Sequence, residues 1–266
     1  VWTLWADTLF YNSPQDTGWA HCGLYVRNAD STRYLAAERA RFHQKTRELW
    51  LWENPYMVQY TPTDTLSLFA DSLYARDDSV AGVHRFLATQ NARLHMRDMQ
   101  ARAHWLRYLP RDSLISLAQD PVLWSRDNQL SGDSVHVWMV GNTVDSLFVD
   151  RNAFMLSRVD SVAPFYHQLR GKQVFARFRA SQLVWMQVVG NCESIYFMKD
   201  GPDYVGMNQA YAAQMTLWME DNAPVRIKLD TQPKGTFYPI HEVWANPPQL
   251  DGFRLRTADR PVAYWP

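Results

Sequence analysis

The sequence predicts an all-β protein, a solenoid or an elongated stack of sheets. Three observations predict it. Two short phrases recur in alternation, the apolar residues keep a period of two, and polar turn words separate the apolar runs.

The first phrase is a small residue, an aspartate, a hydroxyl and an apolar residue. It reads Ala6-Asp7-Thr8-Leu9, Ala70-Asp71-Ser72-Leu73 and Gly132-Asp133-Ser134-Val135, with fainter echoes at "LRGKQV" (169–174) and "GMNQAY" (206–211). The second is an apolar strand ending in a turn and a small or kinked residue. It reads "LWLWENPY" (49–56), "LISLAQDPVLW" (114–124), "SLFVDRNAF" (146–154), "QVVGNCESIYF" (187–197) and "RIKLDTQPKGTFY" (226–238). From the second onward its copies lie roughly 30–40 residues apart, the length of one supersecondary unit, so the chain reads as about six repeats of two short strands and two turns. A small residue ahead of an aspartate lets the chain turn tightly into a strand, and the carboxylate caps the turn's amides. Asp7, Asp71 and Asp133 are therefore read as turn residues, not catalytic ones.

Within the repeats, Val135, Val137 and Met139 alternate with Ser134, His136 and Trp138. Met215, Leu217 and Met219 alternate with Thr216, Trp218 and Glu220, and Ile227 and Leu229 with Arg226 and Lys228. Alternation sends the two sets to opposite faces of a sheet. The turn words are "RDDS" (76–79), "RDNQ" (126–129), "EDNAP" (220–224) and "DTQPKG" (230–235), rich in residues that strands avoid. Residues 86–106 carry good helix formers, but "NARLHM" fits the second phrase and "ARAHWL" the first, so strands are expected there as well.

The composition narrows the function. With 47% apolar and 14% aromatic residues the chain has a substantial core to bury. Lysine plus arginine equals aspartate plus glutamate, 27 each, which argues against a nucleic-acid partner held by bulk charge. No run approaches the roughly 18 apolar residues of a membrane-spanning helix; the longest, such as "LVWMQVV" (183–189), suit strands. The chain starts without methionine or a leader, so a processed or trimmed product is expected. Cys22 and Cys192 are far apart and lack metal-ligand spacing, and nothing local demands a disulfide. There is no G-x-S-x-G, H-E-x-x-H, P-loop or G-x-G-x-x-G, and the eight histidines are scattered. No enzyme, metal or cofactor is expected.

Six phrases, in order, resemble the OstA-like proteins of the bacteroidete type, relatives of the periplasmic lipopolysaccharide-transport protein LptA. They are "DPVLWSRDNQLSGDSVHVWM" (120–139), "DRNAFMLSRVDS" (150–161), "HQLRGKQVFARF" (167–178), "VVGNCESIYF" (188–197), "VGMNQAYAAQMTLWMEDN" (205–222) and "GTFYPI" (235–240). "LDGFRLRTADRPV" (250–262) is similar to the family's tail. The resemblance covers about residues 62–262; residues 1–61 show the repeat but fewer diagnostic words. It implies a single elongated domain over residues 1–266, with core repeats at 62–250 and a tail at 251–266. The implied fold is a β-jelly-roll solenoid of stacked, V-shaped antiparallel strand layers around a hydrophobic trough. The implied role is in outer-membrane biogenesis, in the periplasm or associated with the outer membrane, shielding lipopolysaccharide acyl chains. Two features depart from the family pattern: tryptophans at outward positions (Trp138, Trp185, Trp218) and an arginine- and methionine-rich middle section.

A trough needs apolar inward side chains that do not close it. The alternation nominates Val135, Val137, Met139, Leu147, Val149, Val174, Ala176, Phe178, Val184, Met186, Val188, Met215, Leu217, Met219, Ile227 and Leu229. Without the resemblance, the same residues read as an ordinary sandwich core. Burying one methylene is worth roughly 0.8 kcal/mol, so an enclosed chain of about twelve carbons gains roughly 10 kcal/mol. Expected partners are lipopolysaccharide or a related lipid, and other OstA-like components joined by strand addition at the terminal layers. The competing reading is a non-enzymatic scaffold or glycan-binding surface that uses exposed aromatics.

Overall fold

Eight pairs of consecutive described residues take left-handed φ values, and seven of them sit where a strand bends. The seven are Cys22-Gly23, Glu53-Asn54, Gln90-Asn91, Gln119-Asp120, Arg151-Asn152, Gly190-Asn191 and Thr231-Gln232, with φ between 50° and 84°. The eighth, Ala180-Ser181, is a two-residue hairpin turn between long strands, where two positive φ values match the strand twist. The protein is described here by a computed structural model, in residues 2–62, 64–78, 83–141, 143–161, 163–220 and 223–262.

Six of the seven bends are closed by a backbone bond from the neighbouring strand. The N–H groups of Asp7, Glu38, Asp71, His104, Asp133 and Ala213 donate to the carbonyls of Cys22, Glu53, Gln90, Gln119, Arg151 and Thr231, at 2.9–3.2 Å. The two recurring phrases are therefore the two halves of one corner. The second phrase supplies the left-handed pair, and the first supplies the strand that crosses behind it. The carboxylate finishes the corner through a side chain, not through turn amides as the sequence suggested. Asn91 Nδ2 donates to Asp71 at 2.8 Å and Asn152 Nδ2 to Asp133 at 2.9 Å. The small residue is required because the backbones cross closely: a Cβ on Gly132 would lie 2.3 Å from Val149 Cγ1.

Two expectations change here. The echo placed at 206–211 belongs at Ala212-Ala213, where the corner bond is made. The corner also comes seven times among the described residues, against about six repeats expected. The last residue of the "RDDS" turn, and residues 263–266 of the tail, lie outside the described residues.

The chain forms two compact units. Unit 1 comprises residues 1–121, 138–142 and 260–266. Its strands are β1 (Trp2–Trp5), β2 (Thr8–Asn12), β3 (Thr17–Asn28), β4 (Arg33–His43), β5 (Glu48–Trp52), β6 (Tyr56–Tyr60), β7 (Thr65–Phe69), β8 (Ser72–Asp78), β9 (Val83–His95), β10 (Gln100–Leu109) and β11 (Leu114–Ala118). The expected strands at 86–106 are β9 and β10. All pairings in the unit are antiparallel, and the corners fold the layers into two walls. On one wall Ala20, Ala40, Leu51, Leu73, Ala88, Leu106 and Leu117 lie in register across neighbouring strands, all buried. Leu35, Met57, Leu68 and Leu94 form the matching row of the other wall.

Unit 2 comprises residues 122–137 and 143–259. Its strands are β12 (Val122–Ser125), β13 (Asn128–Ser131), β14 (Ser134–Val140, up to Val137), β15 (Thr143–Arg158), β16 (Tyr166–Arg179), β17 (Gln182–Asp200), β18 (Asp203–Glu220), β19 (Ala223–Asp230) and β20 (Lys234–Pro239), followed by one helical turn, Ile240–Val243. From β15 to β18 each strand is long enough to cross both walls, bending at its corner. One wall is built from 143–150, 173–179, 182–189, 214–220 and β19. The other is built from β12, β13, 153–158, 166–170, 192–200, 203–212 and β20.

The tail straps the outer face of this second wall. Gln168 Nε2 donates to the Pro248 carbonyl (3.0 Å) and its Oε1 accepts from Leu250 N–H (2.8 Å). Gln129 does the same with Arg254 (2.7 Å) and Arg256 (2.8 Å). Each buried amide imitates a paired strand residue and leaves no orphan polar atom of its own. Val243 and Leu250 pack with Phe154, Leu156, Phe165, Ile195 and Phe197 beneath the strap. Trp244 meets Phe165 edge to face, with centroids 5.1 Å apart.

Candidate functional site

Between the walls of unit 2 lies an open slit in two sections that share Asn128, Met155, Leu183 and Met186. The wider section holds about 330 Å³. Strand register explains its apolar side. Cross-strand partners line up as Leu147, Ala176, Met186, Leu217 and Ile227, and as Val149, Val174, Val188, Met215 and Leu229. The first row faces the slit along its length. The second lies closer to the corners, and there Val149, Val188 and Leu229 are behind the slit surface.

Of the residues nominated from sequence, Leu147, Val174, Ala176, Phe178, Met186, Met215, Leu217, Met219 and Ile227 line the slit. Val135 and Val137 are fully buried away from it, and Met139 falls in unit 1, where its N–H donates to the Ser113 carbonyl. Val184 is the extra residue of a bulge. Phe178 pairs with Leu183 while Arg177 pairs with Trp185, so Leu183 takes the inward place. Trp185 and Trp218 are cross-strand partners on the outer face, with Arg226 over the Trp218 ring at 4.7 Å.

The opposite wall was missed altogether. It contributes Leu123, Leu130, Met155 and Leu169, then Ser157, His167, Ser194 and Tyr196. Met155 and Ser157 were within reach of the sequence, since the odd-numbered alternation of Leu147 and Val149 continues across the Arg151-Asn152 corner. His167, Ser194 and Tyr196 broke the apolar pattern and carried no signal. His167 stacks on Tyr196 with centroids 4.3 Å apart, and its Nδ1 accepts from Phe197 N–H at 3.2 Å. Burial between the walls pushes its imidazole down to about 4, so the ring is neutral at pH 7. With Nδ1 accepting, the proton sits on Nε2.

At the outer end of the same wall, Lys199 donates to Asp160 at 2.8 Å, and the Tyr204 hydroxyl donates to the same carboxylate. Desolvation, reinforced by that bond, pushes the Tyr204 phenol up to about 12. Cys192 sits buried near the corner, its thiol pushed up to about 11 by burial. It and Cys22 are both free. Among the described residues no group of three or more His, Cys, Asp or Glu side chains gathers to hold a metal ion. Among the described residues no helix is long and apolar enough to cross a membrane.

Fold and site together define an all-β protein of two-walled, corner-folded antiparallel layers with an apolar slit. Its structure is similar to the crystal structure of LptH, the LptA-homologous periplasmic component of the lipopolysaccharide transport device of Pseudomonas aeruginosa. The TM-score is 0.30 and the identity 10%, over 63% of this chain and 93% of that one. No family model and no curated protein matches the sequence.

Proposed function

We infer that the chain binds acyl chains of a lipopolysaccharide-class lipid in the slit of unit 2 and shields them from water in the periplasm, on the way to the outer membrane. The observation that carries this reading is the slit itself: an open cleft with aliphatic and methionine side chains on one wall, and about 330 Å³ in its wider section. Methionine suits irregular guests because its thioether is flexible and polarisable. An open cleft recovers only part of the roughly 10 kcal/mol of full enclosure, which suits a carrier that must release its cargo. The resemblance of residues 62–262 to OstA-like proteins supports the same reading. No catalytic role is assigned. The test is a photo-crosslinker at position 186 with lipopolysaccharide: labelled lipid is expected there and little at position 185, on the outer face. A folded protein that labels no lipid from position 186 overturns the reading.

Handing on to a similar domain would use the terminal layers. In unit 2, β19 and β20 pair with β18 and carry exposed Val225 (57%), Ile227 (46%) and Phe237 (50%). In unit 1, β1 and β2 pair with β3. Unpaired strand edges are templates for strand addition, here by other OstA-like components. Concentration-dependent association in sedimentation velocity is expected, and strictly monomeric behaviour at all concentrations overturns it.

A second reading rests on the outer face of unit 1, where Trp5, Tyr25, Tyr34, Tyr56 and Phe69 form a ladder of rings 5.5–6.2 Å apart. Such a ladder suits stacking on sugars. A tryptophan-fluorescence response to soluble glycans, but not to lipid, would favour it.

A further inference from the structure

We propose that the slit of unit 2 recognises one uncharged, carbonyl-bearing group of its guest, an ester or amide, on the wall formed by Ser157, His167, Ser194 and Tyr196. This rests on the acyl-chain reading above and names the part of the guest that fixes its depth.

The slit has two unlike walls. Met186, Met215, Leu217 and Ile227 offer one side nothing to hydrogen-bond. Facing them, Ser157, His167, Ser194 and Tyr196 bring polar atoms into the same space. Strand register sets them side by side. Ser157 pairs with His167 across β15 and β16, and Ser194 and Tyr196 follow on β17, with the His167 ring against Tyr196.

These groups have no use elsewhere in the fold. Among the described residues, the hydroxyls of Ser157, Ser194 and Tyr196 and the Nε2–H of His167 make no hydrogen bond to protein, whereas the Gln129 and Gln168 amides on the outer face of the same wall are fully paired. A sheet face built only to pack would carry apolar residues at these positions, since an unpaired polar group beside apolar surface is costly.

The chemistry of the guest follows from the donors. Nε2–H must donate because Nδ1 is already accepting, and a hydroxyl either donates or accepts. A carbonyl oxygen satisfies them, and so does an amide N–H facing a hydroxyl. A charged group is disfavoured. The ring is neutral, and of the cations at the outer end, Lys199 is paired with Asp160 and Arg158 donates to the Ser161 carbonyl. The guest therefore lies with its chain along Met186 and Leu217, its carbonyl at His167, and anything ionised outside.

The test uses a chain-matched pair, N-methyldodecanamide and dodecyl methyl sulfide, each displacing N-phenylnaphthylamine from the whole protein. One or two net hydrogen bonds predict amide binding about tenfold tighter. The variant His167→Phe and the milder pair Ser157→Ala with Ser194→Ala are each expected to erase most of that preference, read as the ratio of the amide and sulfide affinities within each variant. The second variant leaves the Phe197 N–H bond intact, so a folding failure of the first does not blunt the test. In wild-type protein the His167 Nε2 resonance should shift with the amide and not with the sulfide. An unchanged amide preference in the Ser157/Ser194 variant, or an unmoved His167 resonance, overturns the proposal while acyl-chain binding stands. If neither probe displaces the dye, the acyl-chain reading falls and takes this proposal with it.

Discussion

Units 1 and 2 are folded by the same corner, yet their interiors differ. In unit 1 the row from Ala20 to Leu117 is buried from end to end, with alanine at three of its seven places. In unit 2 the equivalent row begins buried at Leu147, Ala176 and Met186 and opens at Leu217 and Ile227. The ends of the walls differ as well. In unit 1, Arg33 and Gln59 from one wall meet Phe86 and Tyr108 from the other. The guanidinium donates to Gln59 Oε1 at 2.9 Å and lies 4.9 Å over the Phe86 ring, while Tyr108 OH donates to the same oxygen at 3.3 Å. That plug ties the walls together. In unit 2 the corresponding ends carry Met219, Ala223 and Pro224 facing Ser157 and His167, and a cavity lies between them. The corner sets where a layer bends. What stands at the far end of each wall decides whether the layer closes.

The sharpest break of this comparison is one substitution made in both rows. Leu51→Asp places an unpaired charge where nothing is exposed and should cost about 4 kcal/mol, enough to unfold a marginal protein. Leu217→Asp, half-exposed on the slit, should cost about 1–2 kcal/mol and still abolish binding of an acyl probe. Urea titration read beside dye displacement separates the two. Equal costs would mean that the unit 2 row is an ordinary core.

Acid titration comes next. The imidazole of His167 falls from its usual 6.5 to about 4 in the folded chain. The unfolded chain therefore takes up the proton first. Stability is complete above pH 7 and is lost as pH falls from about 6.5 through 4, by up to about 3 kcal/mol. A His167→Phe protein should lack that part of the slope in denaturation midpoints between pH 7 and 4.

Gln59→Ala tests the plug. It removes the acceptor shared by Arg33 and Tyr108, and about 2 kcal/mol of stability should go with it. A loss under about 0.5 kcal/mol would show that the packing of the rows, not the plug, holds unit 1 together. The smallest effect belongs to the corner itself. Asp71→Ala in unit 1 and Asp133→Ala in unit 2 each lose one side-chain bond to an asparagine, Asp133→Ala losing also an exposed ion pair with Arg151 at 3.5 Å that adds little, and each should cost about 1 kcal/mol in thermal midpoints. Unequal costs would mean that the two units do not depend on the corner alike.

The corners were the most legible part of this protein. A left-handed pair and a close backbone crossing are demands on single residues, so "ADTL", "ADSL", "GDSV" and the asparagines of "RNA" and "QNA" announce them directly. Strand alternation was equally plain on the wall where Leu147, Ala176, Met186 and Leu217 follow one another, because every inward residue there is apolar. The remainder was decided by register between strands far apart in sequence. The bulge that exchanges Val184 for Leu183 is set by pairing with Arg177 and Phe178, not by residues 183 and 184 alone. Ser157, His167, Ser194 and Tyr196 look like scattered polar residues until three strands are laid side by side. Gln129 and Gln168 gain a role only when the tail, 125 and 80 residues away respectively, comes to lie on them. By itself the sequence determined where each layer bends and which face of a strand is apolar, since those are local steric and hydrophobic demands. Which faces meet, and whether a plug or a cavity stands between them, depends on long-range pairing, and only the tertiary structure decided it.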